Sequence, residues 1–215
     1  MTERGRLITF EGGEGAGKST QIRRLGTMLV QAGLEVVTTR EPGGTEGAEA
    51  IRSLVTEGTA DRWSPLTETL LFLAARQDHV ERLVEPALAE GRWVLCDRFI
   101  DSTRVYQGIA GKLSLDLIDR LHDVIFDRLS PDLTLLLDLP VEAGLARRQA
   151  AGESNRFEQK VTDFHQAVRA GFLDLAAAEP ERFAVIDAAE PIEAVQAAVI
   201  GAVKSRLLSE LTARA

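Results

Sequence analysis

Short apolar runs alternate along this chain with longer segments in which apolar residues recur at helical spacing. Each run is four or five residues long and almost continuously apolar. Such runs are typical of strands that are covered on both faces of a sheet. The predicted strands are Leu7–Phe10, Val36–Thr39, Trp93–Cys96, Leu133–Leu137 and Phe183–Ile186.

The segments between these runs have the period of amphipathic helices, and Gly33, Gly91 and Pro131 stand where helix ends are expected. Strands that alternate with helices pair in parallel through right-handed crossovers. The pattern therefore predicts an α/β fold, a doubly wound five-stranded parallel sheet with helices on both faces and ligands at the carboxyl ends of the strands. The predicted helices are roughly Lys18–Ala32, Thr67–Glu90, Leu115–Arg128, Val141–Ala150, Phe157–Ala178 and Ile192–Leu211.

Length and composition indicate one ordinary globular domain spanning residues 1–215. Hydrophobic residues make up 45% and charged residues 27%, which argues against global disorder. No apolar stretch reaches the length of about 18 residues that a membrane helix needs, and the N-terminus has no signal-peptide pattern. The single cysteine, Cys96, fits a reducing compartment and a small buried strand position. We therefore expect a soluble, cytoplasmic protein.

The chain carries 25 Lys and Arg against 33 Asp and Glu, which gives a net charge of −8. An acidic chain does not attract nucleic acid or an anionic membrane through its overall field. We therefore expect neither as a partner. An anionic ligand would need a local cluster of arginines to overcome the overall sign.

The segment after the first predicted strand matches the phosphate-binding pattern G-x-x-x-x-G-K-[ST], and a helix pattern follows it. Glycines in such a loop let backbone N–H groups converge on phosphate oxygens at the N-terminus of the helix. Lys18 would reach the β- and γ-phosphates of a nucleoside triphosphate, and the Ser19 hydroxyl would hold Mg²⁺. The predicted binding residues are Gly12, Gly13, Glu14, Gly15, Ala16, Gly17, Lys18, Ser19 and Thr20.

The residues beyond this loop favour a kinase over other phosphate-loop proteins. The only asparagine, Asn155, is followed by Arg156, so the Asn-Lys-x-Asp segment of guanine-specific GTPases is missing. No Glu neighbours Asp97 or Asp138 at the strand ends, where motor ATPases carry the residue that activates water. Arg98 instead follows Asp97, and a guanidinium suits a second phosphate. A phosphate-monoester acceptor is mostly dianionic near neutral pH, so it needs cations rather than a general base.

Two further arginines stand where they could serve an acceptor. Arg40 follows the second predicted strand, and Arg76 shares a helix face with Phe72 at the i,i+4 spacing. The aromatic ring and the guanidinium could together sandwich and read a flat base. A phenylalanine on an apolar stripe is, however, more often part of the core.

Several motifs, in order along the chain, carry a family resemblance: Thr9–Gly12, Arg40–Thr45, Phe72 with Arg76, Asp97–Gly108, and Ile186–Ala188 with Pro191–Glu193. They resemble the motifs of bacterial thymidylate kinases, in the nucleoside monophosphate kinase family of P-loop kinases. The resemblance runs along essentially the whole chain. It implies phosphoryl transfer from ATP to dTMP, giving dTDP and ADP for dTTP biosynthesis. It also implies Mg²⁺ as cofactor and a homodimer with the helix Thr67–Glu90 at its interface.

The resemblance also implies roles for single residues. Phe72 would stack on thymine, Arg76 would donate to a thymine carbonyl, and the Thr103 hydroxyl would accept from the ring N3–H. Arg98 would hold the acceptor phosphate, and Tyr106 would pack against the sugar. Glu11 and Asp97 would position Mg²⁺ and its waters. The other residues expected on the dTMP side are Glu11, Arg40, Glu41, Pro42, Arg52, Ser102 and Gln107.

One segment, about residues 147–157, has the composition of a short lid, although a surface loop with ordinary charged flanks fits the same composition. Gln149–Asn155 is small and polar and is flanked by Arg147, Arg148 and Arg156. The phosphate loop carries Glu14 where the eukaryotic-type enzymes of this family carry an arginine, so a catalytic arginine would have to come from the lid. Arg156 resembles the second lid arginine of the enterobacterial-type enzymes. Their first lid arginine is missing here, and Arg147 or Arg148 would replace it as an ATP-binding residue. The expected catalytic set is Lys18, Arg98, Arg156 and Glu11.

Two alternatives remain open from the sequence. The first is a kinase for another nucleoside monophosphate or for a nucleoside. The second is a regulatory nucleotide switch that hydrolyses slowly and signals through a partner. A screen of acceptors with Mg-ATP distinguishes a dTMP kinase from the first alternative. Turnover that an acceptor stimulates would exclude the second.

Overall fold

The computed structural model describes residues 3–59, 61–127, 129–151, 157 and 162–208. Its five strands form one parallel sheet in the order β2-β3-β1-β4-β5. All five predicted strands are confirmed, and each ends one residue later than its apolar run. That extra residue is charged in every case. The strands are β1 Leu7–Glu11, β2 Val36–Arg40, β3 Trp93–Asp97, β4 Leu133–Asp138 and β5 Phe183–Asp187.

Helices follow each strand, as the alternating pattern predicts. A π-helical segment, Val80–Val84, joins α3 to α4, so Pro65–Ala89 runs on as the sequence suggests. Helix α8 begins at Thr162 rather than at Phe157, and residues 158–161 lie outside the described residues. The helices are α1 Lys18–Gln31, α2 Glu46–Thr56, α3 Pro65–His79, α4 Glu85–Ala89, α5 Ile100–Thr103, α6 Leu115–Phe126, α7 Val141–Ala151, α8 Thr162–Ala178 and α9 Ile192–Val203.

Two helical segments are absent from the sequence prediction. Helix α2 is short, and its apolar stripe consists of Ala48, Ile51 and Val55, of which Ala48 and Val55 are buried. Helix α5 has four residues and continues as a π-helix over Arg104–Ile109, a segment that mixes polar and apolar residues. Both segments follow the carboxyl end of a strand, α2 after β2 and α5 after β3. Ile100 and Val105 of the second segment pack in the two cores on that face of the sheet.

The sheet is covered on both faces, because successive side chains of a strand point to opposite sides. In β1, Ile8 and Phe10 pack in a core with α1 and α9, while Leu7 packs in a second core with α3, α4 and α6. A third core, around Leu136 of β4, includes α8. These clusters confirm the doubly wound α/β architecture. In the part of the chain that is described, no helix is both long and apolar enough to span a membrane.

The carboxylate of Asp101 in α5 is fully buried and lies in a cluster of ionic side chains. Arg182, at the start of β5, binds it through two hydrogen bonds, Nη1 to Oδ2 at 2.6 Å and Nη2 to Oδ1 at 2.9 Å. Arg104 lies 3.5 Å from the same carboxylate, and Glu179 accepts hydrogen bonds from both arginines. The cluster therefore fastens α5 to the far end of β5.

We expect Arg182→Ala to lower the free energy of unfolding by about 3 kcal/mol, because it leaves the buried Asp101 charge without its bidentate partner. Urea denaturation followed by circular dichroism measures the change. The matched control is Arg120→Ala, which removes an exposed pair with Asp116 at 3.8 Å and should cost no more than about 0.5 kcal/mol. Equal effects of the two substitutions would contradict this role for the buried cluster.

Candidate active site

A cleft of about 640 Å³ opens at the carboxyl ends of β1, β2 and β3, where a parallel α/β sheet is expected to bind its ligands. The structure brings together there almost all the residues that the sequence analysis singled out. Glu11, Gly12 and Gly13 do not line the cleft, and Arg156 lies outside the described residues. The predicted residues that line the cleft are Glu14, Gly15, Ala16, Gly17, Lys18, Ser19, Thr20, Arg40, Glu41, Pro42, Arg52, Phe72, Arg76, Asp97, Arg98, Ser102, Thr103, Tyr106, Gln107, Arg147 and Arg148.

The phosphate loop forms one wall of the cleft. Its first glycine, Gly12, has a φ of 130°, and a Cβ there would collide with the backbone carbonyl of Leu137. The Lys18 ammonium folds back over the loop and donates to the carbonyls of Gly12 at 3.1 Å and Gly13 at 3.0 Å. Burial and the neighbouring Arg98 lower the pKa of Lys18 below its ordinary value, although nearby carboxylates oppose that shift. A phosphate bound in the loop would raise the pKa of Lys18 again, because its negative charge stabilises the ammonium.

Two hard oxygen donors meet beside the loop. The Ser19 hydroxyl donates to Asp97 Oδ2 at 3.0 Å, across the junction of α1 and β3. A magnesium ion binds few protein oxygens and completes its octahedron with water and phosphate oxygens. The residues present at this position therefore fit a Mg²⁺ ion bound together with a nucleotide.

Glu11 ends β1 and is fully buried. Its Oε1 accepts from the backbone N–H groups of Phe99 at 2.8 Å and Ser102 at 3.2 Å, and its Oε2 accepts from the Ser102 hydroxyl at 2.6 Å. Burial and the nearby Asp101 raise the pKa of Glu11 to about 7, although Arg98 and these donors oppose the rise. In this arrangement both carboxylate oxygens hold the start of α5, and the metal role expected for Glu11 stays a prediction.

Arg98 lies between the phosphate loop and α5. Its backbone has a φ of 71°, in the left-handed region that non-glycine residues seldom adopt. The guanidinium Nη1 donates to the Gly12 carbonyl at 3.2 Å and to the Ser102 hydroxyl at 3.1 Å. Its carbon lies 5.0 Å from the centre of the Tyr106 ring. The side chain is thus held from three sides, with its donor fork at the mouth of the phosphate loop.

The carboxylate of Glu14 already occupies one side of that fork. Arg98 Nη2 donates to Glu14 Oε1 at 2.9 Å, and the Tyr106 hydroxyl donates to the same oxygen at 3.3 Å. Burial by itself raises the pKa of Glu14, but Arg98, Lys18 and Arg148 together lower it below its ordinary value. Glu14 is therefore ionised, and a phosphate group arriving at Arg98 must share or displace this carboxylate.

Arg76 stands deep in the opposite wall and is only 2% exposed. Its Nε donates to Glu41 Oε2 at 2.7 Å, and its Nη2 donates to the Thr103 hydroxyl oxygen at 3.0 Å. The third nitrogen, Nη1, is buried and has no hydrogen-bond partner among the described residues. A buried donor without a partner is costly. Because Arg76 lines the cleft, Nη1 is suited to a ligand acceptor.

Phe157 also lines the cleft, although the sequence predicts it only as the end of the lid segment and the start of a helix. Its ring lies 6.2 Å from that of Phe72 and 5.8 Å, edge-on, from that of Tyr106. The three aromatic side chains form one apolar wall beside Arg76. No signal in the sequence separates this phenylalanine from an ordinary core residue, because its contacts come from distant segments.

The remaining residues expected at the site are tied to neighbouring loops. Arg52 Nη1 donates to the Pro42 carbonyl at 2.7 Å, and Arg40 pairs with Glu49 at 3.0 Å. Gln107 donates to Glu68 at 2.7 Å.

The described arginines near the expected lid lie on α7. Arg147 Nη1 donates to the Ala188 carbonyl at 3.2 Å, in the loop after β5. Arg148 Nε lies 4.0 Å from Glu14 Oε2, so this arginine faces the phosphate loop. Residues 152–156, which include Arg156, fall outside the described residues.

The phosphate loop with Lys18 is suited to a triphosphate donor, and the Arg98 guanidinium is suited to a second substrate that bears a phosphate. Both open into the same cleft, beside the wall that contains Arg76. This arrangement is typical of the P-loop phosphotransferases. Comparison with known proteins identifies the family. The family model described as thymidylate kinase matches residues 10–199, and the chain belongs to the thymidylate kinase family.

Individual relatives agree over nearly the whole chain. A thymidylate kinase of Caulobacter vibrioides is 56% identical over 207 residues, which cover 96% of this chain and 99% of the relative. One from Rhodopseudomonas palustris is 54% identical over 216 residues, covering 99% and 94%. The crystal structure of the thymidylate kinase from Ehrlichia chaffeensis superposes with a TM-score of 0.74 at 34% identity, covering 93% of this chain and 99% of that one.

Proposed function

We infer that this protein is an enzyme that transfers the γ-phosphoryl group of ATP to dTMP, giving dTDP and ADP for dTTP synthesis. Its family membership and the contents of the cleft agree on this reaction. The observation that supports the base specificity is the buried Nη1 donor of Arg76, which has no hydrogen-bond partner among the described residues and lies beside the Thr103 hydroxyl. A pyrimidine with a carbonyl at this point supplies the missing acceptor.

We propose that Thr103 and Arg76 read the base together. The Thr103 oxygen accepts from Arg76 Nη2, which leaves a lone pair for the N3–H of thymine. Arg76 Nη1 then donates to a thymine carbonyl, while Phe72 stacks on the ring. Cytosine has no N3–H and presents an amino group, so two donors would face each other. Each lost hydrogen bond of this kind costs about 1–3 kcal/mol.

The acceptor phosphate is assigned to Arg98. Its fork lies within hydrogen-bond reach of Gly12 and Ser102, beside the loop that would hold the donor phosphates. The dianionic acceptor needs no base to remove a proton, so the chain has to neutralise repulsion and align the two phosphates. Lys18 and the backbone N–H groups of the loop serve the donor phosphates. Tyr106, below the Arg98 guanidinium, serves the sugar.

Mg²⁺ is the proposed cofactor, with Ser19 and Asp97 as the residues that would hold it. When bound, it would neutralise charge on the donor phosphates. The Ser19–Asp97 hydrogen bond of 3.0 Å keeps both oxygens together at the loop. Glu11, also expected near the metal, contributes at least by holding α5.

We further propose that residues 1–215 act as one catalytic domain in the cytoplasm, as a homodimer. Leu66 and Leu70 on α3 support this dimer, because each is about half exposed on an apolar stripe at helical spacing. The lid, about residues 147–157, would close over the donor. Arg147 and Arg148 support that position, since both line the cleft at the end of α7.

The test of the function is an acceptor screen with Mg-ATP over dTMP, dUMP, dCMP, UMP, CMP, GMP and AMP. We expect kcat/KM to be highest for dTMP, with dUMP a few-fold lower, because burying the 5-methyl group is worth about 0.8 kcal/mol. Cytosine nucleotides should be at least 100-fold poorer. Equal rates with dCMP and dTMP, or ATP hydrolysis that no acceptor stimulates, would contradict the proposal.

The role of Lys18 is tested by Lys18→Ala, which should abolish turnover while leaving the circular dichroism spectrum intact. Turnover near the wild-type rate in this folded variant would contradict that role.

The catalytic cation of the lid is tested by single substitutions. Glu14 cannot stabilise a phosphoryl group in transit, so a guanidinium must be delivered from elsewhere. We expect Arg156→Ala to lower kcat about 10³-fold with little change in dTMP affinity. Arg147→Ala and Arg148→Ala should differ from each other, since adjacent helical residues point about 100° apart.

Two outcomes would change this assignment. If Arg156→Ala keeps kcat but loses ATP affinity, this arginine holds the ground state, and the catalytic role passes to Arg147 or Arg148. Full kcat in all three variants would contradict a lid cation altogether. Arg98 and Lys18 with Mg²⁺ would then account for the chemistry.

A further inference from the structure

A histidine that does not line the cleft lies behind the cleft wall that contains Arg76. His79 ends α3, is fully buried, and is absent from the cleft lining. Its Nδ1 lies 3.0 Å from Glu41 Oε1, and its Nε2 lies 2.8 Å from the Thr39 hydroxyl. The Glu41 carboxylate thus contacts His79 through Oε1 and Arg76 through Oε2. The hydrogen bonds run from the partly exposed Thr39 of β2 through three buried side chains, His79, Glu41 and Arg76, to the cleft.

The charge state of Glu41 fixes the direction of these hydrogen bonds. Burial by itself raises the pKa of Glu41, but Arg76 and the hydrogen bond from His79 together lower it below its ordinary value. An ionised carboxylate only accepts. The Nδ1 atom of His79 must therefore carry a proton and donate it to Glu41 Oε1.

The second partner matters because one partner does not orient a carboxylate. Held by Arg76 alone, the Glu41 carboxylate could turn about its terminal torsion, which is broad for an sp³–sp² bond. The His79 donor on Oε1 fixes that torsion and therefore the position of Oε2. Oε2 in turn holds Arg76 Nε at 2.7 Å and sets the plane of the guanidinium. The free Nη1 of Arg76 keeps its aim into the cleft as a result.

The neighbouring loop is shaped around this histidine. Gly44 has a φ of 89°, and a Cβ on it would collide with the Thr39 hydroxyl and the His79 ring. The segment Glu41–Gly44 therefore closes directly over the hydrogen-bonded pair. Residue 44 has to be small for the loop to hold Glu41 against His79.

We propose that His79 is a positioning residue for base selection, which acts by holding the Glu41 carboxylate so that Arg76 presents Nη1 to a pyrimidine carbonyl. The inference rests on the proposed function, because it takes Arg76 as the reader of the dTMP base. It adds a specificity-determining residue that never touches the substrate. A purely structural histidine would affect stability, whereas this role requires an effect on the preference between acceptors.

Two amide substitutions separate the two hydrogen bonds of His79. The amide nitrogen of His79→Asn superposes on Nδ1, so this variant keeps the donor to Glu41 and loses the contact with Thr39. The amide of His79→Gln superposes on Nε2, so this variant keeps a partner for Thr39 and loses the donor to Glu41. Both replace a buried histidine by a polar amide. Their comparison therefore separates the positioning role from a general loss of stability.

The measurement is the ratio of kcat/KM for dTMP to that for dCMP, with KM for dTMP and the thermal midpoint recorded for each variant. We expect His79→Gln to raise KM for dTMP at least fivefold and to reduce the ratio at least tenfold. His79→Asn should keep both values within threefold of those of the wild-type enzyme. His122→Asn is the control, because His122 is a buried histidine bonded to the Leu129 carbonyl and makes no hydrogen bond to Glu41 or Arg76.

Equal ratios for the Gln, Asn and wild-type enzymes would overturn the proposal. So would equal losses in Gln and Asn, since that pattern indicates packing rather than the Glu41 hydrogen bond. Failure of the proposed function would look different, because the wild-type enzyme itself would then not prefer dTMP. If His79→Gln fails to fold while His79→Asn is active and selective, the same ratio of kcat/KM for dTMP to that for dCMP is measured for Gly44→Ala, which crowds Thr39 and His79. Unchanged selectivity in that variant would also overturn the proposal.

Discussion

The wall of the cleft that is proposed to hold the acceptor depends on one buried carboxylate, that of Glu11. It ends the central strand β1 and receives three hydrogen bonds from the start of α5, two from backbone N–H groups and one from Ser102. The same helical segment carries Thr103 and Tyr106, and Arg98 precedes it with a left-handed backbone. Glu11 therefore ties the strand that leads into the phosphate loop to the segment that would hold the acceptor.

The sequence alone was sufficient to predict the sheet, the phosphate loop and most cleft residues. Apolar runs identify the strands because the inner strands β1, β3 and β4 have no solvent-facing side, and parallel strands necessarily end at one edge. Charged residues just after each run, such as Arg40 and Asp97, therefore had to meet at that edge. Each strand took in this charged residue as its last, which the apolar pattern could not show, because backbone pairing continues after the core ends.

Other features could not be predicted because they arise from contacts between distant segments. The apolar pattern of α3 does not reveal that His79 donates to Glu41, since a buried histidine and a buried leucine fit the same stripe. Phe157 joins Phe72 and Tyr106 only after the chain has folded. The pairing of Glu14 with Arg98 likewise crosses 84 positions of sequence. The family resemblance indicated which residues meet, but not which of them hold the others in place.

The most direct test of the role of Glu11 is calorimetric titration of dTMP in EDTA, without ATP. If Glu11 builds the acceptor side, Glu11→Ala should weaken dTMP binding at least tenfold even without metal, because the start of α5 loses its acceptors. Glu11→Gln keeps a carbonyl for the two backbone donors and should bind dTMP within threefold of wild type. Unchanged dTMP affinity in Glu11→Ala, with only Mg-ATP turnover lost, would contradict this role and leave Glu11 as a metal residue.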